Sequence, residues 1–146
     1  MTPETIIQLL PYDKPFLFVD GIESVSATQI QGYYTFREDL FFYKGHFKNK
    51  PVTPGVILIE CMAQIGLVSL GIYLLDYDAD GEMGNARVAF TESQAEFFLP
   101  VFPGEKVLVH ANRVYYRLGK LKCKVKMLNT KGDVVCKGTL SGMIIQ

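Results

Sequence analysis

Among the side chains of a type to move protons, two flank a helix start and stand fourteen positions apart: His46 and Glu60. Histidine ordinarily titrates at about 6.5, which suits a general base at neutral pH. Glu60 is the one carboxylate in the apolar run from Val56 to Leu75. Burial among apolar side chains pushes a carboxyl's pKa up, because desolvation penalises the charged form, and a carboxyl that keeps its proton near neutrality is usable as a general acid. A buried glutamate also serves structure when it pairs with a cation from another element. The residues alone leave both roles for Glu60 open.

The elements that must position this pair follow from the same stretch. Thr53 suits a helix cap, Pro54 fits the first helical position, where its missing N–H would be unpaired anyway, and Gly55 allows a close approach of backbone or ligand. These residues predict a helix starting near residue 54. Over residues 56 to 75 only Glu60, Gln64 and Ser69 are clearly polar, so the helix is apolar nearly all round. Such a helix is buried, in a core or in a membrane. About 20 apolar residues suffice to span a bilayer. Against spanning, Glu60 and Gln64 share one face a turn apart, Gly66 and Gly71 interrupt the run, and no basic cluster flanks it. The expectation is a central helix wrapped by a sheet, with no membrane insertion.

The motifs around the pair are Gly45-His46-Phe47, then Pro51-Val52-x-Pro54-Gly55-Val56, then Leu58-Ile59-Glu60-x-Met62-Ala63-Gln64. Upstream stands Leu10-Pro11-x-x-x-Pro15-Phe16-Leu17-x-Val19-Asp20, and downstream Pro100-Val101-x-Pro103-Gly104-Glu105. Together they resemble the 3-hydroxyacyl-[acyl-carrier-protein] dehydratases of fatty-acid synthesis, over nearly the whole chain. The resemblance implies a hotdog fold, an antiparallel sheet around a long central helix, as one α+β domain over residues 1–146. It implies removal of water from a 3-hydroxyacyl thioester on an acyl-carrier protein, giving the trans-2-enoyl thioester. His46 would be the base at C2, and Glu60, or a water it holds, would protonate the leaving hydroxyl. Unpaired N–H groups at the helix start, Gly55 foremost, would bind the charge developing on the thioester oxygen. Gln64 would orient the Glu60 carboxyl or its water, or be satisfied by a neighbouring loop. No cofactor is implied beyond the phosphopantetheine arm that arrives with the substrate.

The resemblance further implies a homodimer or a trimer of dimers, with the histidine of one subunit meeting the glutamate of its partner. The chain departs from the family's usual residues at Tyr12-Asp13, at Lys48 and at Phe98-Leu99. These departures bear on carrier docking and on substrate, and suggest a specialised pathway of polyketide or polyene type rather than bulk lipid synthesis. Other activities are weighed on the same residues. A dehydratase that also isomerises the double bond would usually carry aspartate at position 60. A hotdog thioesterase fits the spacing of His46 and Glu60 poorly, and a non-catalytic carrier-binding subunit would be expected to have lost one of them.

Composition sets the frame. The chain has 146 residues, 49% of them hydrophobic, which is enough for one domain with a sizeable core. Its formal net charge is zero, but residues 106 to 146 hold most of the lysines and arginines while the acids lie before them. Lys120, Lys122, Lys124 and Lys126 alternate with Leu121, Cys123, Val125 and Met127, the pattern of a half-buried strand. Its charged face either is simply solvated or meets an acidic partner such as a carrier protein, and nucleic acid is not favoured. Cys61, Cys123 and Cys136 fit neither a disulfide framework nor a zinc site, and no metal is expected. With no signal-peptide pattern at the start, cytoplasm is the expected location.

The remaining pattern predicts a short helix from Thr2 to Leu10, strands at 16–25, 29–37, 86–90, 94–99, 106–117, 120–128 and 134–145, and turns at Pro103-Gly104, Leu118-Gly119 and Lys131-Gly132-Asp133. The later strands are expected to form an antiparallel meander. Phe41, Phe42, Tyr43 and Phe47 line a substrate channel or fill the core. The run Asp76-Tyr77-Asp78-Ala79-Asp80-Gly81-Glu82 has the opening spacing of a calcium loop, but the twelfth position is Arg87, so a solvated acidic turn is expected.

Overall fold

The computed structural model describes residues 1–78 and 87–145. Helix α1, Pro3–Leu9, is capped by the Thr2 hydroxyl, which accepts from the Thr5 N–H. Strands β1 (Gly21–Val25) and β2 (Gln29–Thr35) follow, then a short 3₁₀ turn at Phe41–Lys44 and the central helix. The last part of the chain forms β3 (Arg87–Phe97), β4 (Lys106–Arg117), β5 (Lys120–Asn129) and β6 (Val134–Ile145). The six strands make one antiparallel sheet in the order β1-β2-β4-β5-β6-β3. Only β4-β5-β6 is a meander: β3 crosses to the far edge and pairs with β6, which corrects the simple succession expected. The two predicted strands at 86–90 and 94–99 are one, because a bulge between Phe90 and Glu92 carries the ladder through the polar residues between them. Residues 16–19 lie outside β1, for a reason that belongs to the site. The predicted acidic turn at Asp76 to Glu82 lies outside the described residues from 79 onward, as does Ala86.

The central helix runs α-helical over Gly55–Met62, widens to a π-turn over Ala63–Val68, and returns to α over Ser69–Asp78. At the return both the N–H and the hydroxyl of Ser69 donate to the Gln64 carbonyl, the hydroxyl at 2.7 Å. A donor five residues on, reinforced by a side chain, is what a π-turn needs. Residues 61 to 72 are all buried, packed under Ile30, Val107, Val109, Ala111, Leu121, Cys123, Val125 and Met127 from the inner face of the sheet. Gly66 sets the closeness of that contact. A Cβ there would stand 2.9 Å from the Ala111 Cβ and 3.1 Å from a Val125 methyl. The segment Gly55–Asp76 is long and apolar enough to cross a membrane, yet 72% of its most apolar stretch is buried inside this fold.

The helix start differs from the prediction. Pro54 occupies the cap position with extended backbone and Gly55 is the first helical residue. Thr53 does not cap: its hydroxyl pairs with the Tyr43 hydroxyl at 2.6 Å, and its N–H donates to the Val101 carbonyl. The hydroxyl is thus used to tie the preceding loop down, and the helix N-terminus is left open.

Candidate active site

His46 sits at the end of the 3₁₀ turn, half-buried, and is locked to Val52 twice. The Val52 N–H donates to the His46 carbonyl at 2.9 Å, and the imidazole Nδ1 lies 2.9 Å from the Val52 carbonyl. A carbonyl only accepts, so Nδ1 carries the proton and the neutral ring presents Nε2 as a bare lone pair. Between the two residues the chain folds back on itself, with Phe47 and Lys50 exchanging backbone hydrogen bonds and Asn49 left-handed at φ 63°. The Phe47 ring, largely exposed, stacks on the imidazole at 4.1 Å between centroids and 24° between planes. Stacking and the Val52 bond leave the ring one orientation.

Glu60 lies in the second turn of the helix, half-buried. The fully buried Gln64, one turn on, does three things at once. Its Nε2 donates to Glu60 Oε1 at 3.1 Å and to the Phe16 carbonyl at 2.9 Å, and its Oε1 accepts from the Phe18 N–H at 2.7 Å. The Cys61 thiol adds a contact to the Phe18 carbonyl at 3.4 Å. The backbone of 16–18 therefore spends its hydrogen bonds on the helix rather than on β2, and this is why β1 begins late. One amide thus bonds both to the Glu60 carboxyl and to the backbone of the 16–18 segment.

At the helix start the Ile57 and Leu58 N–H groups both turn to the Pro54 carbonyl, at 2.9 and 3.2 Å. Among the described residues no acceptor faces the N–H of Gly55 or Val56. Gly55 lies under the Phe97 ring, which an added Cβ would meet at 3.2 Å. A depression of about 360 Å³ opens here, lined by Thr53, Gly55, Leu58, Phe97, Phe98 and Leu99 among others. Two unpaired donors thus stand at the positive end of a helix dipole, beside an apolar wall, an arrangement able to hold a negative charge.

Burial pushes the Tyr12 phenol up to about 12, with the Glu60 carboxylate adding to the effect. Tyr12 therefore stands within electrostatic reach of Glu60, a neighbourhood that the sequence marked only as a departure from a familiar motif. The three thiols are buried, and burial raises each of them, Cys61 most. They are inert packing groups.

Within the chain, Gly55, Glu60 and Gln64 share the first turns of one helix, whereas His46 belongs to the loop before it. Among the described residues no hydrogen bond or ion pair joins His46 to Glu60. Among the described residues Glu60 Oε2 has no hydrogen-bond donor and His46 Nε2 no hydrogen-bond partner.

Comparison with known proteins identifies the family. Residues 10–140 match the FabA-like domain family. The chain is 34% identical, over 98% of its length and 90% of the relative's, to the 3-hydroxyacyl-[acyl-carrier-protein] dehydratase FabZ of Helicobacter acinonychis. Among solved structures it is similar to the dehydratase heterocomplex ApeI:P of Xenorhabdus doucetiae, with a TM-score of 0.79 at 14% identity over 100% of this chain and 93% of that one. A thioesterase from Haemophilus influenzae is also similar, with a TM-score of 0.70 at 17% identity over 100% of this chain and 92% of the other. Those two structures share the fold with this chain, and the fold serves both chemistries. Sequence separates them: with the family match and the FabZ identity spanning nearly its whole length, the chain belongs to the FabA-like family of 3-hydroxyacyl-[acyl-carrier-protein] dehydratases.

Proposed function

We propose that the protein removes water from a 3-hydroxyacyl thioester borne on an acyl-carrier protein and forms the trans-2-enoyl thioester. The observation that carries this reading is the Nδ1–H bond of His46 to the Val52 carbonyl, which leaves Nε2 as a base aimed away from its own loop. His46 Nε2 takes the C2 proton, and the electron pair left on C2 forms the double bond as the C3–O bond breaks. The leaving oxygen takes its proton from Glu60 or from a water Glu60 holds. While the proton leaves C2, charge gathers on the thioester oxygen, and the N–H groups of Gly55 and Val56 bind it. No cofactor takes part in these steps.

His46 and Glu60 come together between subunits in this reading. Support comes from the outer edge of β3, which pairs with no strand among the described residues and whose side chains are mostly exposed, and from Val56, Phe90 and Phe97, which are exposed as well. An unpaired edge strand of this length invites a second copy. The acyl chain would lie along that interface, and the enzyme would work beside its carrier in a reducing cytoplasm, where three free cysteines persist unpaired.

The test is a panel of 3-hydroxyacyl carrier thioesters, saturated and polyunsaturated, followed by mass spectrometry. Loss of one water from the acyl group is expected. Release of free acid would replace the reading with a thioesterase, and binding without conversion would replace it with a carrier-binding subunit.

The outer face of the sheet supports a carrier as partner. Register places His110, Lys126 and Lys137 in one row across β4, β5 and β6, and Asn112, Lys124 and Thr139 in the next. These six residues line a depression of about 520 Å³. Burial and Lys126 together lower the pKa of His110, and among the described residues none of these lysines makes an ion pair. Like charges set opposite one another cost stability, and an acidic surface is their complement. Reversing both Lys124→Glu and Lys126→Glu is expected to raise KM for carrier-borne substrate about tenfold with kcat unchanged. KM for the same acyl group on free pantetheine should stay the same. An equal rise for both substrates would place carrier docking elsewhere.

A further inference from the structure

The loop that carries His46 is buried at its two ends and almost nowhere between. Tyr43 and Thr53 are buried, whereas every residue from Lys44 to Val52 is exposed except the half-buried His46 and Val52. A Cβ at Gly45, next to His46, would meet nothing within 4 Å. Beside the loop opens a depression of about 470 Å³, lined by Leu40, Tyr43, Lys44 and Pro51 among others. The bonds between His46 and Val52 lie within the loop and stiffen it without reaching the core. Across its base stand the two buried hydroxyls of Tyr43 and Thr53, hydrogen-bonded at 2.6 Å, and the Thr53 N–H donates in turn to the buried Val101. We propose that Tyr43 and Thr53 are positioning residues for His46: their hydroxyl pair closes the loop at its base and so fixes where Nε2 stands relative to the start of the central helix.

A base works only where its lone pair meets the proton, and a misplacement of about 1 Å can cost about a hundredfold in rate. The imidazole takes its orientation from the Val52 carbonyl, and Val52 directly precedes Thr53. The place of that carbonyl therefore follows the place of Thr53, which Tyr43 holds. Pro54 and Gly55, the first helical residue, come next in the chain, so one hydrogen bond sets the loop of the base against the helix start. Both hydroxyls are shielded from water, which leaves the bond without a solvent competitor. Burial raises the pKa of the Tyr43 phenol, so it stays protonated around neutrality and the pair persists. This inference rests on the proposed dehydration, with His46 as its base, and adds to it two residues outside the catalytic pair.

Turnover of a 3-hydroxyacyl carrier thioester tests it, with Tyr43→Phe and Thr53→Val singly and together in the full-length protein. The double variant removes both hydroxyls and orphans no buried polar group, so its thermal midpoint should stay close to wild type even where a single variant folds poorly. Its kcat is expected to fall about tenfold, with KM changing less than about twofold. Either single substitution should already cost as much, because either one breaks the pair. Thr53→Ser, which keeps a hydroxyl, should return most of the turnover that Thr53→Val loses. In the His46→Ala background, loss of the pair should cost nothing further, because the group it positions is gone. Additive losses from the two single variants would mean two unrelated roles, and equal losses with and without His46 would mean an effect on the fold at large. An unchanged kcat would mean that the pair serves stability alone. Each of these outcomes overturns the proposal and leaves the dehydratase reading intact. A wild-type protein that converts no 3-hydroxyacyl thioester would overturn that reading first, and this one with it.

Discussion

His46→Ala is expected to lower kcat for dehydration by about 10²–10⁴-fold, and Glu60→Gln by a similar factor, the usual worth of one positioned acid or base. Both substitutions should leave the fold standing. His46 is half-buried in a loop that Tyr43 and Thr53 hold through their own hydroxyl pair. Glu60→Gln keeps an oxygen that accepts from Gln64 at the position of Oε1. Thermal midpoints close to wild type, together with a collapse in turnover, would assign the loss to chemistry. KM should move little in either variant, because the acyl chain and the thioester oxygen are bound by other groups. A variant that keeps most of its turnover would remove that residue from the mechanism. Combining the two should cost far less than the product of the single losses, since a base without its acid has little left to accelerate.

The sequence displayed the large elements because each has a pattern that burial enforces. Lysines alternating with Leu121, Cys123, Val125 and Met127 can only be a strand with one face inward, and β5 has that burial. β4 and β6 begin and end where the alternation and the flanking glycine turns place them. The central helix was legible from its lack of a polar face. The errors fall where a side chain had two possible partners. Thr53 has the chemistry of a cap, but the Tyr43 hydroxyl competes for it and wins, and that competitor is ten residues away. The break predicted between Phe90 and Gln94 falls on the polar residues Thr91, Glu92 and Ser93, which an edge strand tolerates on its solvent side.

The site was legible as residue types and much less as geometry. The spacing of His46 and Glu60 suggests a pair, but nothing in the spacing says which imidazole nitrogen is free. That is decided by the carbonyl of Val52, and a backbone carbonyl leaves no mark on a sequence. Gln64 looked like a choice between two roles because an amide was counted as one group, whereas it has donors and an acceptor and uses both. Tyr12 entered only as an unusual residue in a familiar segment. Its electrostatic reach to Glu60 depends on how the turn at Asp13 to Phe16 brings the segment back to the helix, which is a tertiary fact.

Mixing the two inactive variants should restore activity, and this result would locate the site between subunits. In a two-fold dimer each site takes its histidine from one protomer and its glutamate from the other. A hybrid of His46→Ala with Glu60→Gln then has one site missing both groups and one site with both intact. After equimolar subunits exchange to equilibrium, about half the dimers are hybrids, and about a quarter of all sites are complete. Turnover of the mixture should therefore rise from the floor of the separate variants to about one quarter of wild type. It should climb with the kinetics of subunit exchange. If each protomer built its own site, no exchange could create a complete one, and the mixture would stay at the floor. The first outcome is the one expected under the proposed mechanism. His46 is held by its own loop and Glu60 by Gln64 of its own helix, and among the described residues neither His46 Nε2 nor Glu60 Oε2 has a hydrogen-bond partner. The mostly exposed edge strand β3 is a surface on which a second copy can pair.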